Sequence, residues 1–138
     1  MPRAQGTFDV QLTPVPHSGT GGDAPLGQVS VAKRFHGPLD ASSEGRMLTA
    51  STEVEGSAGY VAIERVVGTL DGRAGSFVLQ HHGLMDRGSP ELSVVVVPDS
   101  GTGELKHLAG KMTIRIESGV HSYVFDYVLA EPRPAHRS

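Results

Sequence analysis

The chain has 138 residues, enough for one domain with a buried core, and no cysteine, which excludes disulfides, thiolate metal sites and cysteine nucleophiles. Its 12 basic and 15 acidic residues leave a formal charge of -3, and the clustered Lys and Arg of a nucleic-acid-binding surface are missing. No apolar run approaches the roughly 20 residues that a membrane-spanning helix needs. We therefore expect a single domain over 1–138 that binds neither nucleic acid nor membrane.

Two β-strands are predicted in the first part of the chain, at Gly6–Leu12 and Leu26–Gly37, because apolar and polar residues alternate there with period two. On the second strand one side carries Val29, Val31, Lys33 and Phe35. Between the strands, TPVPHSGTGGDAP (13–25) predicts a flexible loop, since proline removes hydrogen-bond donors and glycine raises backbone entropy. The N-terminal MPRAQGTFDV lacks the apolar core of a secretory signal, so we expect a cytoplasmic protein.

The most informative stretch is 56–83, GSAGYVAIERVVGTLDGRAGSFVLQHHG, which predicts a β-hairpin. Asp71-Gly72 supplies the turn, because glycine adopts the positive φ that tight hairpins need. Before it, 39–54 is less regular, with a turn or bulge predicted at Glu44-Gly45 and a strand at Met47–Val54. On the first strand of the hairpin, the face of Tyr60 and Glu64 and the opposite face of Val61 and Ile63 both carry apolar residues, so the pattern leaves the inward face open.

After the hairpin, Leu92–Val97 is apolar on both faces, and we expect both faces to be covered. A short helical turn is predicted at Leu105–Ala109. Strands follow at Lys111–Glu117 and His121–Leu129, and 131–138 is a polar tail with two prolines. The total of about eight strands at hairpin spacing favours a closed antiparallel barrel or a sandwich.

Five segments together resemble a family of small bacterial proteins of unknown function with an allene-oxide-cyclase-like β-barrel: GTFDVQLTP, RFHGPL, the hairpin stretch 56–83, VVVPDSGTGEL and HSYVFDYVL. The likeness runs from about Gly6 to Leu129. It implies an all-β fold, a single eight-stranded antiparallel barrel, and assembly as a homodimer or higher homo-oligomer. It implies no established activity, and the plant cyclase that lends the fold its name is an analogy of fold alone.

Glu64 is the first candidate for chemistry. If its strand face lies inside, burial raises the pKa of the carboxyl unless a partner stabilises the charge, and such a group is suited to general acid or base catalysis. The alternative is a solvent-exposed Glu64 with the face of Val61 and Ile63 inside, and this structural interpretation is favoured by the frequency of ordinary ion pairs.

The second candidate is His81, which shares a predicted face with Phe77 and Leu79 and would carry protons inside a barrel. A buried, hydrogen-bonded histidine without a catalytic role is the more frequent case. His82 and Gln80 point to the opposite face, so the two adjacent histidines cannot meet at one metal ion, and we predict no metal and no cofactor.

Further residues are predicted to contact a ligand: Tyr60, Gln80, Tyr123, Phe125, Tyr127 and Arg34. Tyr123, Phe125 and Tyr127 form an aromatic stripe, which would line a cavity or, more commonly, pack in the core. An arginine such as Arg34 would neutralise Glu64 or bind a carboxylate, although surface arginine is the ordinary expectation.

The leading hypothesis is a small β-barrel that binds a small, largely apolar molecule in its lumen or mouth. The second is an isomerase or cyclase in which Glu64 or His81 moves a proton. The third is a structural oligomer with a filled barrel and the Leu92–Val97 strand as its interface. A packed lumen would exclude the first two.

Overall fold

The computed structural model describes residues 2–15 and 26–129. All regular secondary structure in these two ranges is β-strand, so they hold no helix that could cross a membrane. The predicted flexible loop at 13–25 falls largely outside the described residues, and Thr13 and Pro14 instead end the first strand. The predicted polar tail, 131–138, lies outside them as well.

The described strands form one antiparallel sheet that closes on itself. Eight strands make the barrel and a ninth, of two residues, pairs alongside one of them, which confirms the predicted all-β, eight-stranded antiparallel barrel. The strands are β1 (Arg3–Pro14), β2 (Leu26–His36), β3 (Leu39–Ser51), β4 (Ala58–Leu70), β5 (Arg73–Asp86), β6 (Ser89–Val96), β7 (Thr102–Gly103), β8 (Leu108–Glu117) and β9 (Val120–Leu129).

Most barrel strands pair with their neighbours along the chain, and one seam joins the first strand to the last. In this seam β1 pairs with β9, with Arg3 opposite Asp126 and Phe8 opposite His121. The pairing of β4 with β5 completes the ring, so each of the eight barrel strands has both edges hydrogen-bonded. Closure removes the exposed edges that would otherwise template pairing with another chain.

The β4–β5 hairpin decides which face of β4 lies inside. Its turn is the predicted one, with positive φ at Asp71 (49°) and Gly72 (84°). The resulting register pairs Val66 with Phe77 and Glu64 with Leu79. Since the apolar side chains of Phe77 and Leu79 are at most 1% exposed, they occupy the barrel interior and bring Glu64 inside with them. The alternative of a solvent-exposed Glu64 is therefore wrong.

The predicted turn or bulge at Glu44-Gly45 is absent, because β3 runs unbroken through both residues and pairs with β2 and β4. Gly45 faces the interior opposite Glu64. A Cβ at this position would lie 2.2 Å from the carbonyl oxygen of Ile63 and 2.7 Å from Cβ of Glu64. Gly45 thus permits a close approach of two strands, which is one reason for glycine within a strand.

Two further expectations differ from the structure. Leu92–Val97 is not covered on both faces, because Val95 points outward and is 37% exposed. Of the predicted short helical turn at Leu105–Ala109, only 105–107 form a turn, in which the N–H of Leu108 donates to the carbonyl of Leu105, and β8 begins at Leu108. This turn places Leu105 inside the barrel, where it is 1% exposed.

The two ends of the barrel are filled differently. The closed end, where β3 and β8 begin, is packed with apolar side chains at most 2% exposed: Leu39, Leu70, Leu105 and Leu108. The hydroxyl of Tyr123 accepts from the N–H of Leu39 (3.1 Å) and donates to the carbonyl of His36 (2.9 Å). The open end, where β1 ends and β9 begins, includes Leu12 and Ile116, which are more than half exposed.

Candidate functional site

A cavity of about 200 Å³ extends into the barrel from the open end. Its walls are mainly aliphatic and aromatic, and they come from strands on both sides of the β1–β9 seam. Its apolar lining consists of Phe8, Val10, Leu12, Val31, Met47, Ala62, Ile63, Leu92, Ile114 and Ile116. The polar side chains in the wall are Lys33, Tyr60, Glu64, His81 and His121.

Four polar side chains from neighbouring strands β2 to β5 meet inside the barrel, and we call them the buried cluster: Lys33, Ser43, Glu64 and His81. Glu64 is its centre. Oε1 of Glu64 accepts from Lys33 Nζ (2.9 Å) and bonds His81 Nε2 (2.5 Å), and Oε2 accepts from the hydroxyl of Ser43 (2.5 Å). The side chain of Glu64 is only 2% exposed, and those of its two basic partners are 7% and 6% exposed.

The carboxyl of Glu64 stays ionised although it is buried. Burial by itself raises the pKa of Glu64, but the hydrogen bond from His81, the charge of Lys33 and the bond from Ser43 outweigh it and hold the pKa at about 2. The pKa of Glu64 therefore lies below its ordinary value, whereas that of an isolated buried carboxyl would lie above it. The partners responsible come from β2, β3 and β5, so the sequence of β4 alone does not reveal them.

The ionised Glu64 fixes the orientation of His81. A carboxylate has only acceptor sites, so the ring nitrogen that contacts it, Nε2, carries a proton and donates a hydrogen bond to Oε1 of Glu64. The other ring nitrogen, Nδ1, is left for a different partner. His81 also lines the cavity, and the carboxylate–imidazole pair therefore borders the space a ligand would occupy.

Lys33 and Ser43 belong to the site but were not among the predicted residues. Lys33 Nζ lies 5.0 Å from the ring centroid of Phe8 and 5.8 Å from that of Phe35, within reach of cation–π attraction. Glu64 was selected because it is a charged residue on a largely apolar strand face. Lys33 lies between Val31 and Phe35 on such a face, so the same criterion would have selected it. Ser43 lies in a stretch without clear alternation, and no comparable signal marks it.

Tyr60 lies at the open end beside the buried cluster. Its ring centroid is 6.3 Å from that of His81, and it packs over Gly83 on β5, where a Cβ would come within 2.3 Å of the tyrosine ring. Burial and the charge of Glu64 both raise the pKa of Tyr60, so its hydroxyl keeps its proton. Among residues 2–15 and 26–129 this hydroxyl has no hydrogen-bond partner.

The structure separates the remaining predicted ligand contacts from the cavity. Gln80 and Arg34 point out of the barrel, and Arg34 forms an exposed ion pair with Asp40.

The aromatic residues Tyr123, Phe125 and Tyr127 lie inside the barrel, as their alternation predicts, but they do not line the cavity. Tyr127 bonds to Asp71, and burial together with this bond raises the pKa of Tyr127 to about 12. Phe125 stacks against Phe77 with ring centroids 5.8 Å apart.

Within the described part of the chain no three His, Asp or Glu side chains lie close enough together to hold a metal ion. The buried cluster contains one carboxylate and one imidazole, and its ammonium group repels cations.

Fold and site together define a small closed β-barrel with a buried charged cluster beside an apolar cavity. Residues 4–127 match the family described as protein of unknown function, DUF3224, and the chain belongs to this family. It is similar to a crystal structure of a protein with unknown function from the same family in Shewanella oneidensis MR-1, at 52% identity and a TM-score of 0.89, covering 96% of this chain and 99% of that one. No curated protein matches.

The predicted membership of a family of unknown function with a β-barrel fold is confirmed by these matches. The allene-oxide-cyclase-like description of that family stays a prediction.

Proposed function

We propose that this protein binds a small, largely apolar molecule in the cavity at the open end of the barrel. One observation carries the proposal: an apolar-walled space of about 200 Å³ borders a preformed cluster of hydrogen-bonded charged groups. Small-molecule sites commonly combine mostly apolar walls with a few fixed polar groups that orient the ligand. A barrel that served only as a filled scaffold would have no reason to leave this end unpacked.

The first test is native mass spectrometry of the protein purified from its own cells, followed by extraction and identification of bound molecules. A stoichiometric small molecule supports the proposal. The same spectra report the number of chains per particle, and so test the predicted homodimer or higher homo-oligomer, which stays a prediction here.

A second test fills the cavity. Ala62 lines it and is 6% exposed, so Ala62→Leu places a larger side chain in the space that a ligand needs. We expect NMR titration with ethylbenzene to show at least a tenfold loss of affinity. Ala32→Leu, on the exposed outer face of β2, is the matched control and leaves affinity unchanged. Equal affinities for both variants and the wild type would contradict the proposal.

A second candidate function, an isomerase or cyclase, is favoured by the contact between Glu64 and His81. An imidazole held by a carboxylate and bordering a cavity is a suitable group for moving a proton on a bound molecule. If the protein is such an enzyme, carbon-bound hydrogens of the extracted molecule exchange with deuterium in D2O in the presence of the protein. Glu64→Gln and His81→Gln abolish the exchange, and His82→Gln, on the outer face, does not.

A further inference from the structure

The two permanent charges beside the cavity cancel. Lys33 Nζ lies 2.9 Å from Oε1 of Glu64, and both side chains are more than nine-tenths buried. A ligand that brought a further charge to this place would leave it unbalanced in a poorly hydrated site, which is costly. The buried cluster therefore favours an uncharged ligand.

Two polar side chains that line the cavity, Lys33 and Tyr60, have hydrogen-bond donors that no described group uses. Both oxygens of Glu64 already accept bonds from the cluster. The ammonium of Lys33 has three N–H groups and no acceptor, and its described hydrogen bond uses one of them. The hydroxyl of Tyr60, which keeps its proton, has no partner in the described ranges. A ligand oxygen beside Lys33 and Tyr60 can accept hydrogen bonds from both, and a carbonyl oxygen does so without bringing a proton that needs a partner.

The volume of the cavity sets the size of the ligand. An apolar cavity of about 150 Å³ in another protein takes up benzene, and pockets for drug-sized molecules span about 300 to 1,000 Å³. The cavity here measures about 200 Å³. It fits one ring with a short substituent, or a branched chain of the same size.

We propose that the cavity binds an uncharged carbonyl compound, a ketone or an aldehyde, with an apolar body about the size of one substituted ring. Its oxygen accepts hydrogen bonds from Tyr60 and Lys33, and its body contacts the aliphatic wall. This inference rests on the binding function proposed above and names the chemical class of the ligand.

The test uses four probes of nearly equal size: acetophenone, ethylbenzene, benzoate and benzylammonium. Affinities are measured by NMR titration of the full chain. We expect acetophenone to bind about tenfold more tightly than ethylbenzene, because it gains hydrogen bonds. Benzoate and benzylammonium bind at least tenfold more weakly than acetophenone, because each buries an unbalanced charge.

The variant Tyr60→Phe keeps the ring over Gly83 and removes the hydroxyl. We expect it to lower the affinity for acetophenone by about three- to tenfold and to leave that for ethylbenzene unchanged. Ethylbenzene thus serves as the internal control for an intact cavity.

The outcomes separate the two proposals. Equal affinity for acetophenone and ethylbenzene would overturn the carbonyl assignment and leave the binding function standing. Tighter binding of benzoate or benzylammonium would overturn the assignment of an uncharged ligand. Failure of all four probes to bind would overturn both proposals.

Discussion

Side chains alternate between the inside and the outside of the barrel at both ends, but the inward side chains fill the closed end and leave a cavity at the open end. At the closed end, leucines meet with little exposed surface, and the hydroxyl of Tyr123 is bonded to backbone groups. At the open end, the apolar walls leave a cavity, and the hydroxyl of Tyr60 lacks a partner within the described residues. The buried cluster lies inside the barrel beside this cavity. The comparison shows that the closed end is filled by its own side chains, whereas the open end leaves the space in which we propose that a ligand binds.

The largest effect is expected from Lys33→Met, which leaves the charge of Glu64 buried without its cationic partner. Removing one partner of a buried ion pair costs about 3–5 kcal/mol. Urea denaturation measures the loss in free energy of unfolding. Lys111→Met, on the exposed outer face of β8, is the control and changes it little. A loss below about 1 kcal/mol for Lys33→Met would mean that the cluster does not depend on this ion pair.

Truncating one leucine at each end sharpens the comparison. Leu105→Ala opens a hole in the closed end, where the side chain is 1% exposed, and should cost about 2–5 kcal/mol. Leu92→Ala at the open end, where the side chain is 44% exposed, should cost about 1 kcal/mol or less. Leu105→Ala should leave the affinity for ethylbenzene unchanged, and Leu92→Ala should alter it. Equal losses of stability would contradict the division between the two ends.

Lowering the pH tests how much the ionised carboxyl of Glu64 contributes to the stability of the fold. Its pKa falls from 4.5 to about 2 on folding, so the stability it contributes is present above pH 4.5 and is lost as the pH falls towards 2. The full contribution is on the order of a few kcal/mol, and it decreases as the pH falls from 4.5 towards 2.

The measurement is the free energy of unfolding at pH 6 and pH 3 for the wild type and Glu64→Gln. The advantage of the wild type should shrink at pH 3. The exposed Glu44 provides the control, since Glu44→Gln should follow the wild type at both pH values. A wild-type advantage that does not change with pH would exclude a lowered pKa for Glu64.

The smallest effect is expected from Arg34→Ala, outside the barrel. Arg34 and Asp40 form an ion pair with side chains 47% and 58% exposed, and such pairs contribute about 0–1 kcal/mol. Ligand affinity should not change, because Arg34 does not line the cavity. A tenfold loss of affinity would restore Arg34 as a ligand contact and extend the site beyond the open end.

Alternation predicted the number of strands and the turn at Asp71-Gly72, because these features depend on neighbours in the sequence. It could not choose the inward face of β4, since both faces are apolar there and the choice depends on Phe77 and Leu79 across the hairpin. Gln80 and Arg34 were selected for their chemistry and lie on outward faces.

Tyr123, Phe125 and Tyr127 lie on the interior face and pack in the core, the more common of the two outcomes that their alternation left open. Period two determines the face of a residue, whereas the location of a cavity depends on the side-chain volumes that all eight strands contribute at each level. Lys33 and Ser43 contact Glu64 only because β2, β3 and β4 lie side by side in the sheet, and the sequence of any one strand does not show which strands will be its neighbours.

The seam between β1 and β9 has a consequence for folding kinetics. Arg3 bonds Asp126, 123 positions away in the sequence, whereas most other strand pairs are local hairpins. Contacts of such high sequence separation form slowly, because the entropy of closing a long loop is lost before they are gained. Phe8 and His121 face each other across this seam and both line the cavity. During synthesis the wall of the cavity is therefore complete only after β9 has left the ribosome and the seam has closed.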